Sequence, residues 1–208
     1  MSPGGDESGE VRLRLRDGFE VVVRPIRPED REAIAAGLAR MSERSRYQRF
    51  LTVIEEFSPS ELRYLTDVDH HDHEALIAFD SRTGDGAGVA RFVRLADGTS
   101  AEAAVTVIDE WQGRGLGTVL CNLIADRART EGVRRFTAML LASNRQMLEV
   151  LAALGPTREL SRRDGTVEIE IDLPDRGIGE HMAGVLRVAA GGTVELATPP
   201  LGLPQVNE

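Results

Sequence analysis

A glycine-rich loop between two apolar segments is the part of this sequence best suited to chemistry. The segment AEAAVTVIDEWQGRGLGTVLCNLIADRA, residues 101–128, places three glycines in five positions. The apolar run before them predicts a strand ending near Ile108, and the periodic apolar residues after them predict a helix starting near Leu116. The first amides of a helix lack internal partners, and glycine lets a ligand approach the backbone closely. The loop is therefore suited to bind a phosphate or pyrophosphate.

Other interpretations of the loop differ in how well they fit the residues. Glycine could serve the turn geometry alone, and a glycine turn by itself is a weak signal. The dinucleotide-binding pattern does not match, because the third glycine, Gly117, comes too early after Gly113 and Gly115. A Walker loop and Schiff-base chemistry both need lysine, and the 25 basic residues are all arginine. Arg114, inside the loop, adds one fork of hydrogen-bond donors.

A carboxylate stands near the start of the apolar run before the loop. Strand alternation places Glu102 on the same face as Ala104 and Thr106, whose small side chains leave room for a substrate. Glu102 could be a general base or an ordinary solvent-facing strand residue. The residues alone leave both interpretations open.

Strands and helices alternate around this loop and must position it. Alternation on both sides of Asp17–Gly18 predicts a hairpin with a type I′ turn, and Ser58 with Glu61 predicts a helix that begins with a capping box. A mixed sheet in an α/β domain follows from the order of the segments. Further helices are predicted at 27–41, 42–51, 58–67 and 144–155, and further strands at 73–80, 89–95, 100–108, 134–142 and in a hairpin about Asp164–Gly165.

Composition limits the domain organisation and the partners. The 208 residues suit one domain, predicted at 11–173, with a disordered leader at 1–10 and an extension of undefined role at 174–208 that could contain a short helix at 179–190. A net charge of −9 argues against nucleic acid, and no apolar run suits a membrane span. The acidic N-terminus and a single cysteine favour the cytoplasm and exclude a disulfide framework.

The motifs resemble those of the GNAT N-acetyltransferase superfamily. QGRGLG, residues 112–117, matches its Gln/Arg-x-x-Gly-x-Gly/Ala signature, and LLASNRQMLEVLAALG, residues 140–155, resembles its next block. The segment RDGFEVVVRPIRPEDREAIAAGLARMSERSRYQRFL looks like the opening of the GNAT domain in bacterial protein-lysine acetyltransferases. The resemblance covers roughly residues 11–173. It implies an α/β (α+β mixed) fold with a mixed, mostly antiparallel central sheet flanked by helices.

The resemblance also implies acetyl-CoA as co-substrate. Backbone amides of residues 112–118 would hold its pyrophosphate, strand residues would pair with its pantetheine arm, and Asn144 would bond near the pantetheine or thioester. The cofactor-binding residues expected in this way are Val105, Thr106, Val107, Gln112, Gly113, Arg114, Gly115, Leu116, Gly117, Thr118 and Asn144.

The implied reaction is direct transfer of acetyl from acetyl-CoA to a primary amine in a ternary complex, with a protein lysine as the favoured acceptor. Glu102 would be the general base, and a base acting directly is expected to be buried. Leu151 occupies the position where many GNAT enzymes have a tyrosine acid, so no residue is assigned that role. A small-amine acetyltransferase and a non-catalytic acyl-CoA-binding module are the alternatives.

Several other residues invite functional interpretation. The cluster DVDHHDHEA, residues 67–75, lacks a fixed ligand spacing, so we expect a solvated loop entering a strand and no metal. Cys121 is expected to be a packed thiol, and Trp111 to anchor the loop by burial. The segment RYQRFL, with Tyr47, Arg49 and Phe50, could line an acceptor groove or belong to an ordinary amphipathic helix.

Overall fold

A single nine-stranded sheet organises the chain. The computed structural model describes residues 9–175 and the short strand 194–196. The strands lie in the order β7-β8-β6-β5-β4-β3-β2-β1-β9. Their bounds are β1 Val11–Leu15, β2 Glu20–Pro25, β3 His73–Asp80, β4 Gly86–Arg94, β5 Ser100–Val107, β6 Arg135–Leu141, β7 Thr157–Arg163, β8 Thr166–Asp172 and β9 Val194–Leu196.

The strand directions confirm the expected mixed, mostly antiparallel sheet. Every neighbouring pair is antiparallel except β5 and β6, which run parallel. A parallel pair needs a crossover connection, and the longest helix of the described residues supplies it. That helix has 15 residues, and no helix among the described residues has both the length and the apolar character to span a bilayer.

Helices cover both faces of the sheet. The bounds are α1 Arg31–Ala39, preceded by a 3₁₀ turn at Pro28–Asp30, then α2 Glu43–Phe50, α3 Pro59–Thr66, α4 Leu116–Thr130 and α5 Arg145–Ala152. The main core joins α4 and α5 to one face and includes the fully buried rings of Phe92 and Phe136. A smaller cluster on the other face joins Ile77 to Ile34 of α1. Strand alternation explains this division, since successive side chains point to opposite faces.

The capping box of α3 is present as expected. Ser58 Oγ accepts from the amide of Glu61 at 3.3 Å, and Glu61 Oε2 accepts from the amide of Ser58 at 2.7 Å. The helix expected at 144–155 is α5, and it ends at Ala152 rather than at Gly155. The leader residues 1–8 and the suggested helix at 179–190 lie outside the described residues.

The type I′ turn expected at Asp17–Gly18 is wrong. Gly18 has a φ of 84°, but Asp17 is not among the residues with positive φ, and a type I′ turn needs positive φ at both. The amide of Gly18 donates to the carbonyl of Leu15 at 2.9 Å, and the amide of Leu15 donates to the carbonyl of Phe19 at 2.7 Å. The hairpin loop therefore has three residues and ends at Gly18 in the left-handed conformation. It is one residue longer than the two-residue loop of a type I′ turn.

Gly155 follows α5 at a point where the main chain packs against the end of β8. A Cβ added there would collide with the backbone carbonyl oxygen of Asp172 and approach Pro174 Cδ at 3.0 Å. We expect Gly155→Ala to lower the free energy of unfolding by about 2–3 kcal/mol, because backbone cannot move aside like a flexible side chain. Urea denaturation measures the loss. The matched control is Gly86→Ala, whose Cβ would make an ordinary 3.6 Å contact; equal stability of the two variants would contradict the packing described.

Candidate active site

The central feature of the candidate site is the separation of β5 from β6. Only three residue pairs join these strands: Ser100–Arg135, Ala101–Phe136 and Glu102–Thr137. Beyond them β5 remains paired with β4 and β6 remains paired with β8. Residues 103–107 of β5 therefore have no strand partner on the side that faces β6. Such an edge presents main-chain donors and acceptors to a ligand.

The glycine loop lies at the end of this open edge. A 3₁₀ turn at Asp109–Trp111 follows β5, and α4 begins at Leu116 as expected from the sequence. Gly113 has a φ of 73° and Gly115 a φ of 90°, values that side-chain-bearing residues rarely adopt. Gly115 caps α4 without a side-chain hydrogen bond, so the first amides of the helix remain available to an anion.

The separated strands and the loop enclose a cleft of about 530 Å³. Ten of the twelve residues expected at the site line it: Glu102, Val105, Thr106, Val107, Gln112, Gly113, Gly115, Gly117, Thr118 and Asn144. The side chains of the other two, Arg114 and Leu116, do not. Arg114 pairs with Asp17 at 3.0 Å and lies over the Phe19 ring, while Leu116 is fully buried in the core. Only their backbone could face a ligand.

Two loop residues hold the loop in place by side-chain contacts. Gln112 Nε2 donates to the carbonyl of Val107 at 3.0 Å and to Ser45 Oγ at 3.2 Å. Trp111 is buried, as expected, and packs edge-on against Phe19 with ring centroids 5.8 Å apart. These contacts join the loop to β5, to α2 and to the residues before β2.

Glu102 stands at the last residue pair before the strands separate, and it lines the cleft. Its side chain is exposed. The expectation that a directly acting base would be buried is therefore wrong for Glu102. Ala101 and Ala103 on either side are buried because they face the main core, whereas Glu102 belongs to the opposite face.

Helix α5 and its cap form one wall of the cleft, which is lined by Asn144, Gln146, Met147, Val150 and Leu151. Asn144 caps the helix, since its Oδ1 accepts from the amide of Met147 at 3.3 Å. Leu151 is buried and also lines the cleft, so an apolar side chain occupies the position of the missing tyrosine.

Asp109 forms a hydrogen-bond network that sequence analysis did not identify. It accepts from the amide and the hydroxyl of Ser42 at 3.0 and 2.7 Å, and from Ser45 Oγ at 2.9 Å. Burial acts to raise the pKa of Asp109, but the hydrogen bonds from Ser42 and Ser45 outweigh burial, and the pKa is lowered. The network ties the start of α2 to the turn before the glycine loop. Its partners are more than 60 residues apart in sequence, so local patterns give no signal of it.

The sequence left open whether the segment at 46–51 lines an acceptor groove or belongs to an ordinary amphipathic helix. In the structure some of its residues line the cleft and Tyr47 does not. Arg49 and Phe50 line the cleft, and Arg49 Nε donates to Thr106 Oγ1 at 2.9 Å. Tyr47 is exposed and is not among the residues that line the cleft.

The histidine cluster does not converge. His70 bonds to Glu74 at 2.8 Å, His71 bonds to Glu131 at 2.6 Å, and His73 faces Arg91. Over the part of the chain that the structure describes, no three potential ligands are arranged to hold a metal ion. Burial raises the pKa of Cys121 to about 12, which keeps the thiol protonated and unreactive.

We expect Asp109→Asn to lower the free energy of unfolding by about 1–3 kcal/mol at pH 7, since a charged acceptor of three hydrogen bonds is lost. Because the folded pKa of Asp109 is depressed, its contribution is present above its unfolded pKa of about 4 and is lost as pH falls through the folded pKa. The gap between wild type and variant should therefore close below about pH 4. Denaturation at several pH values tests this, with Asp164→Asn, in an exposed turn, as control; a gap that does not change with pH would contradict it.

Comparison with known proteins agrees with this geometry. Residues 38–155 match the model of the acetyltransferase (GNAT) family. The chain is 36% identical over 154 residues to Acetyltransferase PA5475 of Pseudomonas aeruginosa, covering 73% of this chain and 83% of that protein. It is 34% identical over 166 residues to Acetyltransferase Pat of Mycolicibacterium smegmatis, covering 79% of this chain but only 49% of that longer protein. The crystal structure of the GNAT domain of S. lividans PAT superposes with a TM-score of 0.73 at 32% identity, covering 82% of this chain and 100% of that one. The chain belongs to the GNAT acetyltransferase family.

Proposed function

We propose that this protein transfers an acetyl group from acetyl-CoA to a primary amine, with a protein lysine as the favoured acceptor, by direct transfer in a ternary complex in the cytoplasm. The observation that carries the proposal is the open edge of β5, which begins beside Glu102 and leads to the glycine loop. A carboxylate therefore lies at one end of the cleft and unpaired helix amides lie at the other.

The cleft fits the parts of acetyl-CoA in order. The main chain of residues 103–107 can pair with the amides of the pantetheine arm, as an added strand would. The amides of residues 113–118 can bind the pyrophosphate, with Gly113 and Gly115 permitting close approach, whereas the amide of Gln112 already donates to the carbonyl of Asp109 at 3.1 Å. When bound, the coenzyme supplies the activated acetyl group as a thioester.

The acceptor amine must lose a proton before it can attack. A free lysine has a pKa near 10.4, so neutralising it at pH 7 costs roughly 4–5 kcal/mol. In this proposal Glu102 accepts the proton, and its exposed position supports transfer through a water molecule. As the amine nitrogen bonds to the acetyl carbon, the carbon–sulfur bond breaks. A thiol with a pKa near 8.5, by analogy with cysteine, leaves without a strong acid, which fits the apolar Leu151.

The cleft lining supports a long cationic acceptor. Glu102 and Glu168 place two carboxylates along it, and Leu95 and Met139 add exposed apolar surface that can contact an aliphatic stem. The net charge of −9 favours encounter with a basic partner.

We expect Glu102→Gln to lower kcat by about 10²–10⁴-fold, the usual contribution of a general base, without changing the dissociation constant of acetyl-CoA. Thiol release measures kcat with a lysine-containing peptide, and calorimetry measures binding. Glu149→Gln, an exposed site on α5, is the control. Undiminished turnover in Glu102→Gln would remove this residue from the mechanism.

The same assay separates the acceptor classes when small amines, including amino acids and polyamines, are compared with the peptide. We expect the peptide to give the highest kcat/KM. A higher kcat/KM for a small amine would identify a small-molecule enzyme instead. Tight acetyl-CoA binding with no acceptor-dependent thiol release would identify an acyl-CoA-binding module.

A further inference from the structure

Arg49, which is partly buried at the cleft wall, and Arg91, which is buried beside it, differ from Arg24 and Arg94 in their partners. Arg24 lies against Asp30 at 2.7 Å, and Arg94 lies against Asp72 at 2.6 Å. By contrast, Arg49 and Arg91 form no ion pair with any carboxylate of the described residues. Removing a cation from water without a counter-ion is costly, fully for the buried Arg91 and in part for the partly buried Arg49, so the pair needs an explanation.

Arg91 is held by neutral groups. It is only 7% exposed, and its terminal nitrogens contact His73 Nε2 at 3.2 Å and the carbonyl of Leu65 at 3.1 Å. Burial and then the charge of Arg91 lower the pKa of His73, which keeps the imidazole neutral. Burial, followed by the charge of Arg49, lowers the pKa of Arg91 to about 10, so Arg91 is still charged at neutral pH.

Arg49 has donors to spare. Its Nε bonds to Thr106 Oγ1, but its two terminal nitrogens have no hydrogen-bond acceptor within residues 9–175. An arginine carries five N–H donors, so four of these remain for a ligand. Burial lowers the pKa of Arg49, and the negative charge of Glu102 opposes this shift.

Both side chains line a second cavity of about 60 Å³ beneath α1 and α2. The cavity shares Met41, Arg49, Phe50, Ala104 and Thr106 with the lining of the main cleft, so the two spaces adjoin. Its volume is about that of two water molecules at roughly 30 Å³ each, enough for a carboxylate group. The rest of its lining is largely apolar, as at Leu38 and Ile77, and this strengthens the attraction between charges.

We propose that Arg49 and Arg91 form a carboxylate-binding subsite that opens off the cleft beside Ala104 and Thr106. The inference rests on the proposed acyl-CoA cleft but not on lysine as the acceptor. A carboxylate can reach the subsite from either of two sources. It can end the acyl chain of a dicarboxylic acyl-CoA, or it can belong to the acceptor amine. Guanidinium–carboxylate contacts would give these two cations, one buried and one partly buried, the counter-charge they lack in either case.

Calorimetric binding without turnover tests the subsite in two arms. The first compares succinyl-CoA with acetyl-CoA. The second titrates protein saturated with coenzyme A with linear ω-amino acids and with alkylamines of the same chain length. We expect the carboxylate to tighten binding at least about tenfold in one arm, which also identifies the source.

Variants assign the preference to the two arginines. We expect Arg49→Gln and Arg91→Met each to abolish the preference, so that ligands with and without the carboxylate bind about equally. The control is Arg44→Gln, which lies on α2 as Arg49 does but is exposed, and it should retain the preference. If Arg91→Met does not fold, Arg49→Gln carries the test. The proposal is overturned if neither arm shows a preference, or if the preference survives the substitutions. Because both arms measure binding, a preference that persists without acetyl transfer would refute the proposed function and leave the subsite standing.

Discussion

The hydrogen bonding between β5 and β6 stops after Glu102, and the rest of the site depends on that interruption. Buried main-chain amides and carbonyls need partners, and a sheet ordinarily supplies them strand by strand. Here β6 pairs along its length with β8, while β5 continues beside β4 alone. The open edge can be satisfied by water or by an extended, amide-bearing ligand. If β5 and β6 were hydrogen-bonded along their full length, no cleft would connect Glu102 with the glycine loop.

The crossover helix keeps the open edge aligned with the loop. Helix α4 packs tightly on the β4–β5 pair at Gly88, where an added Cβ would meet Leu120 at 3.1 Å and the carbonyl of Thr106 at 2.8 Å. Asp109 and Gln112 then bind the loop to α2 through Ser42 and Ser45. Helix α2 carries Arg49 to the cleft wall, so one network positions both the anion-binding loop and the charged wall.

Local patterns in the sequence predicted the parts of the site that depend on local geometry. Gly113 and Gly115 have positive φ, and Ser58 caps its helix, because turns and caps are decided within a few residues. The exposure of Glu102 and the direction of Arg114 were not predictable, since each depends on which distant element packs beside it. The Arg114 side chain is held by Asp17 and Phe19, almost 100 residues earlier in the chain. The pocket around Arg49 and Arg91 likewise joins helices and strands that are separate in sequence.

Amide hydrogen exchange in the presence and absence of coenzyme A tests the central claim most directly, because it reads the main chain itself. If the unpaired edge of β5 and the first amides of α4 bind the coenzyme, residues 103–107 and 112–118 should gain protection together, while β1 and β2 should not change. A coenzyme that binds tightly, as judged by calorimetry, without slowing exchange in these two segments would contradict the account.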